Sequence, residues 1–230
     1  NAPESNAPVT TGKPRKINKI GTIDNPEVFT NVPGHVIPII EQEFDDFETE
    51  AGKFLGNEIE EIDFIGFRLK QGVYGQRQPG AQLNRVKLPF GGITPEQLEA
   101  FADGAEGWAP LKKAHITTRQ AVQLHNIPLA RMESMLRHFS TTGLSSREGC
   151  GNTVRNVSGD PFAGILEGEV FDPTPYAGAL VRYFVRSELT QLMPRKCKIA
   201  FEGTPQSGRS IASIHDLAFE SAIKDGERGF

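Results

Sequence analysis

The sequence has 230 residues, 37% of them hydrophobic and 23% charged, with a formal net charge of −4 at pH 7. A chain of this length can bury a substantial core in one large domain or two small ones, and its acidic balance excludes a basic field over the whole molecule, so any anion site has to be local. The sequence lacks the run of roughly 18 apolar residues that is typical of a membrane span. Its first residues lack the apolar segment of a secretory signal. Its two cysteines, Cys150 and Cys197, favour a reducing, cytoplasmic environment.

Residues 1–60 are predicted to form an extended N-terminal arm. The first residues, up to about position 35, are rich in Pro, Asn, Thr and Gly, which suits an extended arm better than a packed unit. The segment EQEFDDFETE, Glu41–Glu50, then surrounds two phenylalanines with six carboxylates. It predicts a solvated acidic segment whose aromatic side chains tuck against the body, and the alternative is a docking patch for a basic partner.

From residue 61 the pattern changes to strands separated by turns. IDFIGFRLK predicts a strand, the glycine-rich QGVYGQRQPG follows it, and QLNRVKLPF predicts a second strand with Leu83, Arg85 and Lys87 on one face. GGITPEQLEAFADGAEGW predicts a turn and a helix, since Thr94 can cap the helix and Gln97 completes a capping box.

The next two segments predict a strand and a helix. AHITTRQAVQLHNI predicts a strand that is interrupted near Arg119 and Gln120, and PLARMESMLRHF predicts a helix. The helix carries Met132 and Met135 at helical spacing, and we interpret them as core residues and not as part of a cofactor site. The order strand, strand, helix, strand, helix predicts a small α+β sandwich with its helices on one face.

The remaining segments predict a long loop, a helix and strands. The loop STTGLSSREGCGNTVRNVSGDPFAG precedes a helix over TPYAGALVRYFVRSELTQL and a strand over PRKCKIAFEG, on which Lys196 and Lys198 share the face opposite Cys197. At the end of the chain, DLAFESAI predicts a strand, KDGERG a turn and Phe230 the first residue of a returning strand. A hairpin with one arm leaves an unpaired edge, so we expect the chain to be a fragment of a larger protein.

Cations stand at four places where packing alone would not require them. These places are the pair Arg85 and Lys87, then Arg119, then Arg155, and finally the pair Lys196 and Lys198. Each of them taken singly could be an ordinary surface cation. Together they favour a bound anion, because cations that converge repel one another unless a negative group lies between them. HExxH, P-loop and GxGxxG motifs are absent, and the residues by themselves therefore predict an anion-binding α+β protein.

Four motifs in order, NRVKLPFGG, HITTRQAVQLHNI, NTVRNVSGDPFAG and PRKCKIAFEG, resemble the sirohaem-dependent sulfite and nitrite reductases. The resemblance covers roughly residues 62–230 and implies an α+β fold. It implies a ferredoxin-like half-domain over residues 61–139 and a truncated sirohaem domain over residues 140–230, which together form part of a larger pseudo-symmetric protein.

The resemblance also implies two sets of site residues. The first set would surround the distal face of the sirohaem iron, hold the oxyanion and donate protons: Arg85, Arg155, Lys196 and Lys198. The second set would contact the sirohaem and its carboxylates: Thr117, Thr118, Arg119, Gln123, His125 and Arg195. No residue of the chain is expected to ligate a metal.

The implied reaction is the six-electron reduction of sulfite to sulfide, with the reduction of nitrite to ammonia as the alternative. Lys198 and His125 favour sulfite, because nitrite reductases of this family often carry Asn and Arg at these positions, whereas NTVRNVSGDPFAG looks closer to the nitrite enzymes. An alternative of another class is a non-redox module that binds an anion or a tetrapyrrole.

The implied cofactors are sirohaem and a [4Fe–4S] cluster. The two cysteines of the chain lack the family's CxxxxxC and CxxxC spacing, so the cluster ligands are expected beyond residue 230 and the fragment is expected to be inactive alone. The expected electron donor is ferredoxin, with a flavoprotein as the alternative. Neither nucleic acid nor a membrane is an expected partner.

Overall fold

Two hydrophobic cores organise the residues that the computed structural model describes, 35–205 and 208–230. The first core lies among four helices and an antiparallel sheet, and the second lies between one helix and a small parallel sheet. Most of the predicted extended arm, residues 1–34, lies outside the described residues. Within the described residues, no helix is long and apolar enough to cross a membrane.

The acidic segment near the N-terminus forms a helix, α1 (Gln42–Leu55), so the prediction of an extended arm is wrong for this stretch. Phe47 and Ala51 lie one turn apart on the face that is buried in the first core, as was expected for the aromatic residues of this segment. The carboxylates of Glu43 and Asp45 lie in the first turn, where the positive end of the helix dipole stabilises them.

The segment predicted as the first strand is also a helix, α2 (Glu61–Lys70). A strand would place Ile62 and Phe64 on the same face, yet Ile62 is 74% exposed and Phe64 is fully buried. Phe64 and Arg68 instead form a buried face with helical spacing, and the Phe64 ring packs 4.8 Å from that of Phe54 on α1. The α1–α2 contact therefore decides the conformation of this short apolar run.

The sheet of the first core is antiparallel and has the strand order β1-β2-β4-β3. Its strands are β1 (Val73–Gly75), β2 (Ala81–Val86), β3 (Ala114–Ile116) and β4 (Val122–Pro128). The predicted interruption near Arg119 is the turn that joins β3 to β4, and β1 arises within a segment that the sequence pattern describes only as glycine-rich.

Two helices pack on this sheet as predicted, α3 (Pro95–Gly107) and α4 (Met132–Ser140). The capping box is formed by two hydrogen bonds. The Thr94 hydroxyl accepts from the backbone amide nitrogen of Gln97 (3.3 Å), and the side-chain oxygen of Gln97 accepts from the backbone amide nitrogen of Thr94 (3.1 Å). Met132 and Met135 are fully buried, which confirms their role in the core. The predicted α+β half-domain is thereby confirmed.

The second core holds α5 (Thr174–Phe184) against a parallel sheet of β5 (Ser158–Gly159), β6 (Ile199–Glu202) and β7 (Leu217–Glu220), in that strand order. Helix α5 ends at Phe184, well before the predicted end, because Val185 is extended and Arg186 has a positive φ of 65°. A hairpin of β8 (Ala222–Lys224) and β9 (Glu227–Gly229) follows, so the returning strand starts before Phe230.

The long loop after α4 joins the two cores. Ser145 forms a bridge with Lys87 at the end of β2, and Val154 forms a parallel bridge with Cys197 just before β6. The side-chain amide of Asn156 donates to the carbonyl oxygens of Leu88 (2.7 Å) and Arg119 (2.7 Å). The loop is therefore held on both sides, and it carries Arg155 between the sheets.

Candidate active site

One face of the antiparallel sheet presents polar side chains, while the other faces the first core. Arg85 on β2 and His115 on β3 both pair with Gln123 on β4, so the three side chains lie on the same face. His125 follows Gln123 by two positions and shares that face. The Gln123 amide oxygen, in the orientation that its neighbours require, accepts from the Arg85 guanidinium. This pairing fixes Arg85 on the surface of the sheet.

The guanidinium groups of Arg85 and Arg155 converge on one backbone carbonyl. Arg85 Nη1 donates to Gly149 O at 3.1 Å, and Arg155 Nη1 donates to the same oxygen at 3.2 Å. Arg155 Nε also donates to Gly151 O (3.0 Å). Burial lowers the pKa of Arg155, and the charges of Arg85 and Arg119 lower it further. These are two partly buried cations held together, an arrangement that an anion would stabilise.

The approach of the loop to β2 requires the glycine at position 149. A Cβ built on Gly149 would lie 2.2 Å from the carbonyl oxygen of Arg85, a distance that no real side chain adopts. The chain can therefore bring its carbonyl to both guanidinium groups only because residue 149 has no side chain.

Lys196 belongs to the same cationic cluster. The Arg155 guanidinium is the main cause of the lowered pKa of Lys196, and smaller effects come from burial and from Arg195, Lys198 and Arg85. Lys196 and Lys198 precede β6, which begins at Ile199, so the prediction that they lie on the strand is wrong. Cations this close make proton release from the Lys196 ammonium easier.

The backbone of Lys198 is held by Asp216, which precedes β7. The amide nitrogen of Lys198 donates to Asp216 Oδ2 (2.8 Å), and its carbonyl accepts from the Asp216 amide nitrogen (3.0 Å). Asp216 also favours the charged form of Arg119, which places a carboxylate beside the cations.

The turn between β3 and β4 positions Arg119. Thr117 Oγ1 accepts from the amide nitrogens of Arg119 (3.3 Å) and Ala121 (3.2 Å), so this threonine shapes the turn, whereas Thr118 is exposed. Arg119 Nη1 is buried without a hydrogen-bond partner among the described residues, and burial lowers the pKa of Arg119. A buried guanidinium nitrogen of this kind calls for an acceptor such as a carboxylate.

His125 presents a second buried polar atom. Its Nε2 has no hydrogen-bond partner within the described ranges, and its ring lies 4.9 Å from that of His115, tilted by 50°. Burial lowers the pKa of His125, and His115 and Arg85 lower it further, so the ring is neutral near pH 7. His125 and Arg119 therefore supply polar atoms that fit the carboxylates of a tetrapyrrole such as sirohaem.

Arg195 is exposed and lies at the rim of a cavity of about 350 Å³. Lys70, Tyr74, Arg155 and Lys196 also line this cavity. The structure therefore gathers Arg85, Arg155 and Lys196 directly, and it brings Arg195 to the same cavity. Cations dominate the charged part of this lining, which suits a small oxyanion and the water around it.

The chain by itself has too few cysteines to supply all the ligands of a [4Fe–4S] cluster. It has two cysteines, whereas a [4Fe–4S] cluster is held by four thiolates. Burial raises the pKa of both Cys150 and Cys197, which disfavours their thiolates. Within residues 35–205 and 208–230, no group of three or more His, Cys, Asp or Glu side chains could hold a metal ion.

Sequence reasoning missed His215 and Asp216, which precede β7 and lie close to the cations. His215 Nδ1 lies 2.8 Å from Ile211 O and its Nε2 is buried without a partner in the described parts of the chain. Burial is the main cause of its lowered pKa, and Arg119 and Lys198 contribute in the same direction. The pairing of β6 with β7 creates this proximity, and no local sequence pattern indicates it.

Comparisons with known proteins match two regions of the chain to described families. Residues 74–140 match the family described as the nitrite/sulfite reductase ferredoxin-like half domain, and residues 150–230 match the family described as the nitrite and sulphite reductase 4Fe-4S domain. The chain is 35% identical over 157 residues to a ferredoxin–nitrite reductase of Synechococcus elongatus, covering 66% of this chain and 30% of the relative. It is 34% identical over 176 residues to the chloroplastic ferredoxin–nitrite reductase of Zea mays, covering 73% and 31%.

Solved structures show the same likeness. The structure of the Mycobacterium tuberculosis NirA protein superposes with a TM-score of 0.66 at 26% identity, covering 75% of this chain and 34% of that one. Dissimilatory sulfite reductase I shares the fold, with a TM-score of 0.54 at 20% identity, covering 63% of this chain and 34% of the other. The chain spans about 30% of the length of the curated relatives it matches. On the two matched regions and this shared fold, the chain belongs to the nitrite and sulfite reductase family.

Proposed function

We propose that this chain supplies the oxyanion site and part of the sirohaem site of a nitrite reductase, which reduces nitrite to ammonia with electrons from ferredoxin. The observation that carries the proposal is the convergence of Arg85 and Arg155 on the Gly149 carbonyl, with Lys196 beside them. Guanidinium groups fixed in this way can hold an oxyanion without reorganising when it binds. The curated relatives described above are named ferredoxin–nitrite reductases, which supports nitrite and ferredoxin.

The sirohaem would lie against the polar face of the sheet and the turn that follows β3. Arg119 and His125 would meet its carboxylates with buried nitrogens that have no hydrogen-bond partner among residues 35–205 and 208–230, and Gln123 lies two positions before His125 on β4. Thr117 holds the turn, while Thr118 and Arg195 are exposed and would contact the cofactor. When bound, the sirohaem supplies the redox chemistry, and the protein supplies binding, orientation and charge.

The protons would come from the lysines. The reduction of nitrite to ammonia takes up seven protons with six electrons and releases two waters (NO2− + 7 H+ + 6 e− → NH3 + 2 H2O), so protons must reach the substrate during the reaction. The lowered pKa of Lys196 makes its ammonium a better donor than an isolated lysine near neutral pH. Lys198, whose backbone Asp216 holds, would assist in binding the anion.

The [4Fe–4S] cluster would be held by cysteines outside this chain's 230 residues, because the chain has two cysteines. A cytoplasmic location remains a prediction, and one of the relatives described above is named as chloroplastic.

The comparisons support nitrite better than sulfite, although the sequence pattern favours sulfite. Sulfite remains the second candidate because the charges of Arg155 and Lys198 both act on Lys196, so two lysines belong to the cationic cluster. A dianion such as sulfite gains more than a monoanion from a second cation. In the alternative of another class, a non-redox module, the site would bind an anion or a tetrapyrrole and would catalyse no reaction.

The test is to express the full-length protein with a sirohaem supply and to measure kcat/KM for nitrite and for sulfite with reduced ferredoxin. We expect ammonia from nitrite and a higher kcat/KM for nitrite than for sulfite. A higher value for sulfite would overturn the substrate assignment. Sirohaem binding with neither reaction would favour the non-redox module.

A further inference from the structure

Glu148 is a fully buried carboxylate in a strained backbone conformation. It is 0% exposed and its φ is +57°, in the left-handed region that side-chain-bearing residues seldom adopt. A buried charge and an unfavourable φ at one position persist only where the surrounding structure holds them. No step of the proposed reaction uses Glu148, so its burial needs another explanation.

The Glu148 carboxylate forms hydrogen bonds to the segment that follows α5. Glu148 Oε1 accepts from the Arg186 amide nitrogen at 2.7 Å and also accepts from Gln191 Nε2. The Glu148 charge also acts on the buried Lys87 ammonium, which donates to Val154 O at 3.3 Å. The Glu148 side chain therefore links the loop after α4 to residues that lie about 40 positions later in the sequence.

The backbone of Glu148 is fixed as well. Its amide nitrogen donates to Lys70 O (2.7 Å) at the end of α2, and its carbonyl accepts from Thr153 Oγ1 (3.1 Å). The next residue is Gly149, whose carbonyl receives Arg85 and Arg155. A change in the backbone at residue 148 would move that carbonyl away from one or both guanidinium groups.

We propose that Glu148 is a positioning residue of the oxyanion site: its buried carboxylate holds the backbone at residues 148–149, so that the Gly149 carbonyl fixes both arginine guanidinium groups. This inference rests on the function proposed above. The carboxylate does not touch the oxyanion, and it acts through the geometry of Arg85 and Arg155.

The test compares Glu148→Ala and Glu148→Gln in the full-length protein loaded with sirohaem. The amide oxygen of Gln can still accept from Arg186 N and Gln191 Nε2, whereas Ala removes both hydrogen bonds. We expect Glu148→Ala to raise KM for nitrite at least about tenfold, as the loss of one charge-assisted contact would. We expect Glu148→Gln to rescue KM to within about threefold of the wild type, since the geometry is kept.

The matched control is Glu202 on β6, another buried carboxylate, which accepts from the backbone amide nitrogen of Ser210 (2.9 Å). Glu202→Ala should lower Tm but leave KM for nitrite unchanged. If Glu148→Ala fails to fold, Gln191→Leu removes one donor to the same carboxylate and should raise KM in the same direction. An unchanged KM in the Ala or Leu variant, or a Gln variant as impaired as Ala, would overturn the inference.

Crystal structures of the wild type and Glu148→Ala separate this inference from the proposed function. Gly149 O should accept from both guanidinium groups in the wild type and lose at least one of them in the variant. If both hydrogen bonds persist in the variant, Glu148 does not position the arginines. If the wild type instead fails to reduce nitrite or sulfite while the arginines shift in the variant, the proposed function fails and the positioning role stands.

Discussion

Gln120 and Gly159 exchange two hydrogen bonds across the junction between the two cores. Gln120 Nε2 donates to Gly159 O at 2.8 Å, and the Gly159 amide nitrogen donates to Gln120 Oε1 at 2.9 Å. The Gln120 side-chain amide thereby pairs with the backbone of Gly159 on β5 as a neighbouring strand would. Gln120 directly follows Arg119 and has a φ of +53°, so this pairing ties the turn that carries Arg119 to the parallel sheet.

Replacing Gln120 by Ala should loosen the turn between β3 and β4. Both hydrogen bonds to Gly159 are lost and its backbone groups are left unpaired, which costs about 1–3 kcal/mol. We expect a lower Tm and a lower sirohaem content per purified protein, measured by absorbance. The exposed Gln78→Ala is the control and should change neither quantity. Full sirohaem content in Gln120→Ala would show that the turn holds its place without this contact.

Arg119→Ala should reduce sirohaem occupancy more strongly. Arg119 Nη1 is buried without a partner in the described chain, and a carboxylate of the cofactor would satisfy it. We expect at least about a tenfold loss in sirohaem affinity, as for the loss of a charge-assisted hydrogen bond. Arg77→Ala, an exposed arginine in the turn between β1 and β2, is the matched control. Complete loading of purified Arg119→Ala would refute the assigned contact.

Lys198→Asn should change the preference between the two oxyanions. The substitution removes one cation from the cluster around Lys196, and a dianion loses more than a monoanion when a nearby cation is removed. We expect kcat/KM for sulfite to fall about tenfold more than kcat/KM for nitrite, an effect of the size expected for one partly buried charge. Sirohaem occupancy should not change, and the exposed Lys113→Asn should affect neither substrate. Equal losses for both anions would exclude a role for Lys198 in selectivity.

The pH dependence of the free energy of unfolding should reveal the lowered pKa of Lys87. Burial lowers its pKa to about 8, although the Glu148 carboxylate acts in the opposite direction. Between about pH 8 and 10.4 the unfolded chain keeps the proton that the native protein has released, so the contribution of Lys87 to stability rises with pH. The stability of Lys87→Met relative to the wild type should therefore fall by about 3 kcal/mol from pH 7 to pH 10.4.

The measurement for Lys87 is Tm as a function of pH for both proteins. The variant serves as the reference that cancels the titration of every other group. The lost hydrogen bond to Val154 O lowers the stability of the variant by the same amount at every pH, so it does not affect the slope. Parallel curves for the two proteins would show that Lys87 titrates at the ordinary pKa of an exposed lysine.

Elements whose signals are local can be read directly from the amino-acid sequence. The capping box at Thr94 and Gln97 and the helical spacing of Met132 and Met135 specify α3 and α4, because each signal acts within one or two turns. The ordered motifs that contain Arg85, Arg155 and Lys196 indicated the family and an anion site. The same reasoning failed at α2, because a short apolar run fits a strand or a helix and only packing against Phe47 and Phe54 on α1 decides between them.

The assembly of the site depends on contacts between residues that are distant in the sequence. Arg85 and Arg155 reach the same carbonyl from positions 64 and 6 residues away from Gly149, and Gln120 meets Gly159 from 39 residues away. Asp216 holds Lys198 because β6 and β7 pair in parallel. Hydrogen bonds act over about 3 Å in space, whatever the separation along the chain. Local patterns can therefore name the charged residues, while the packing of the two cores determines which of them meet.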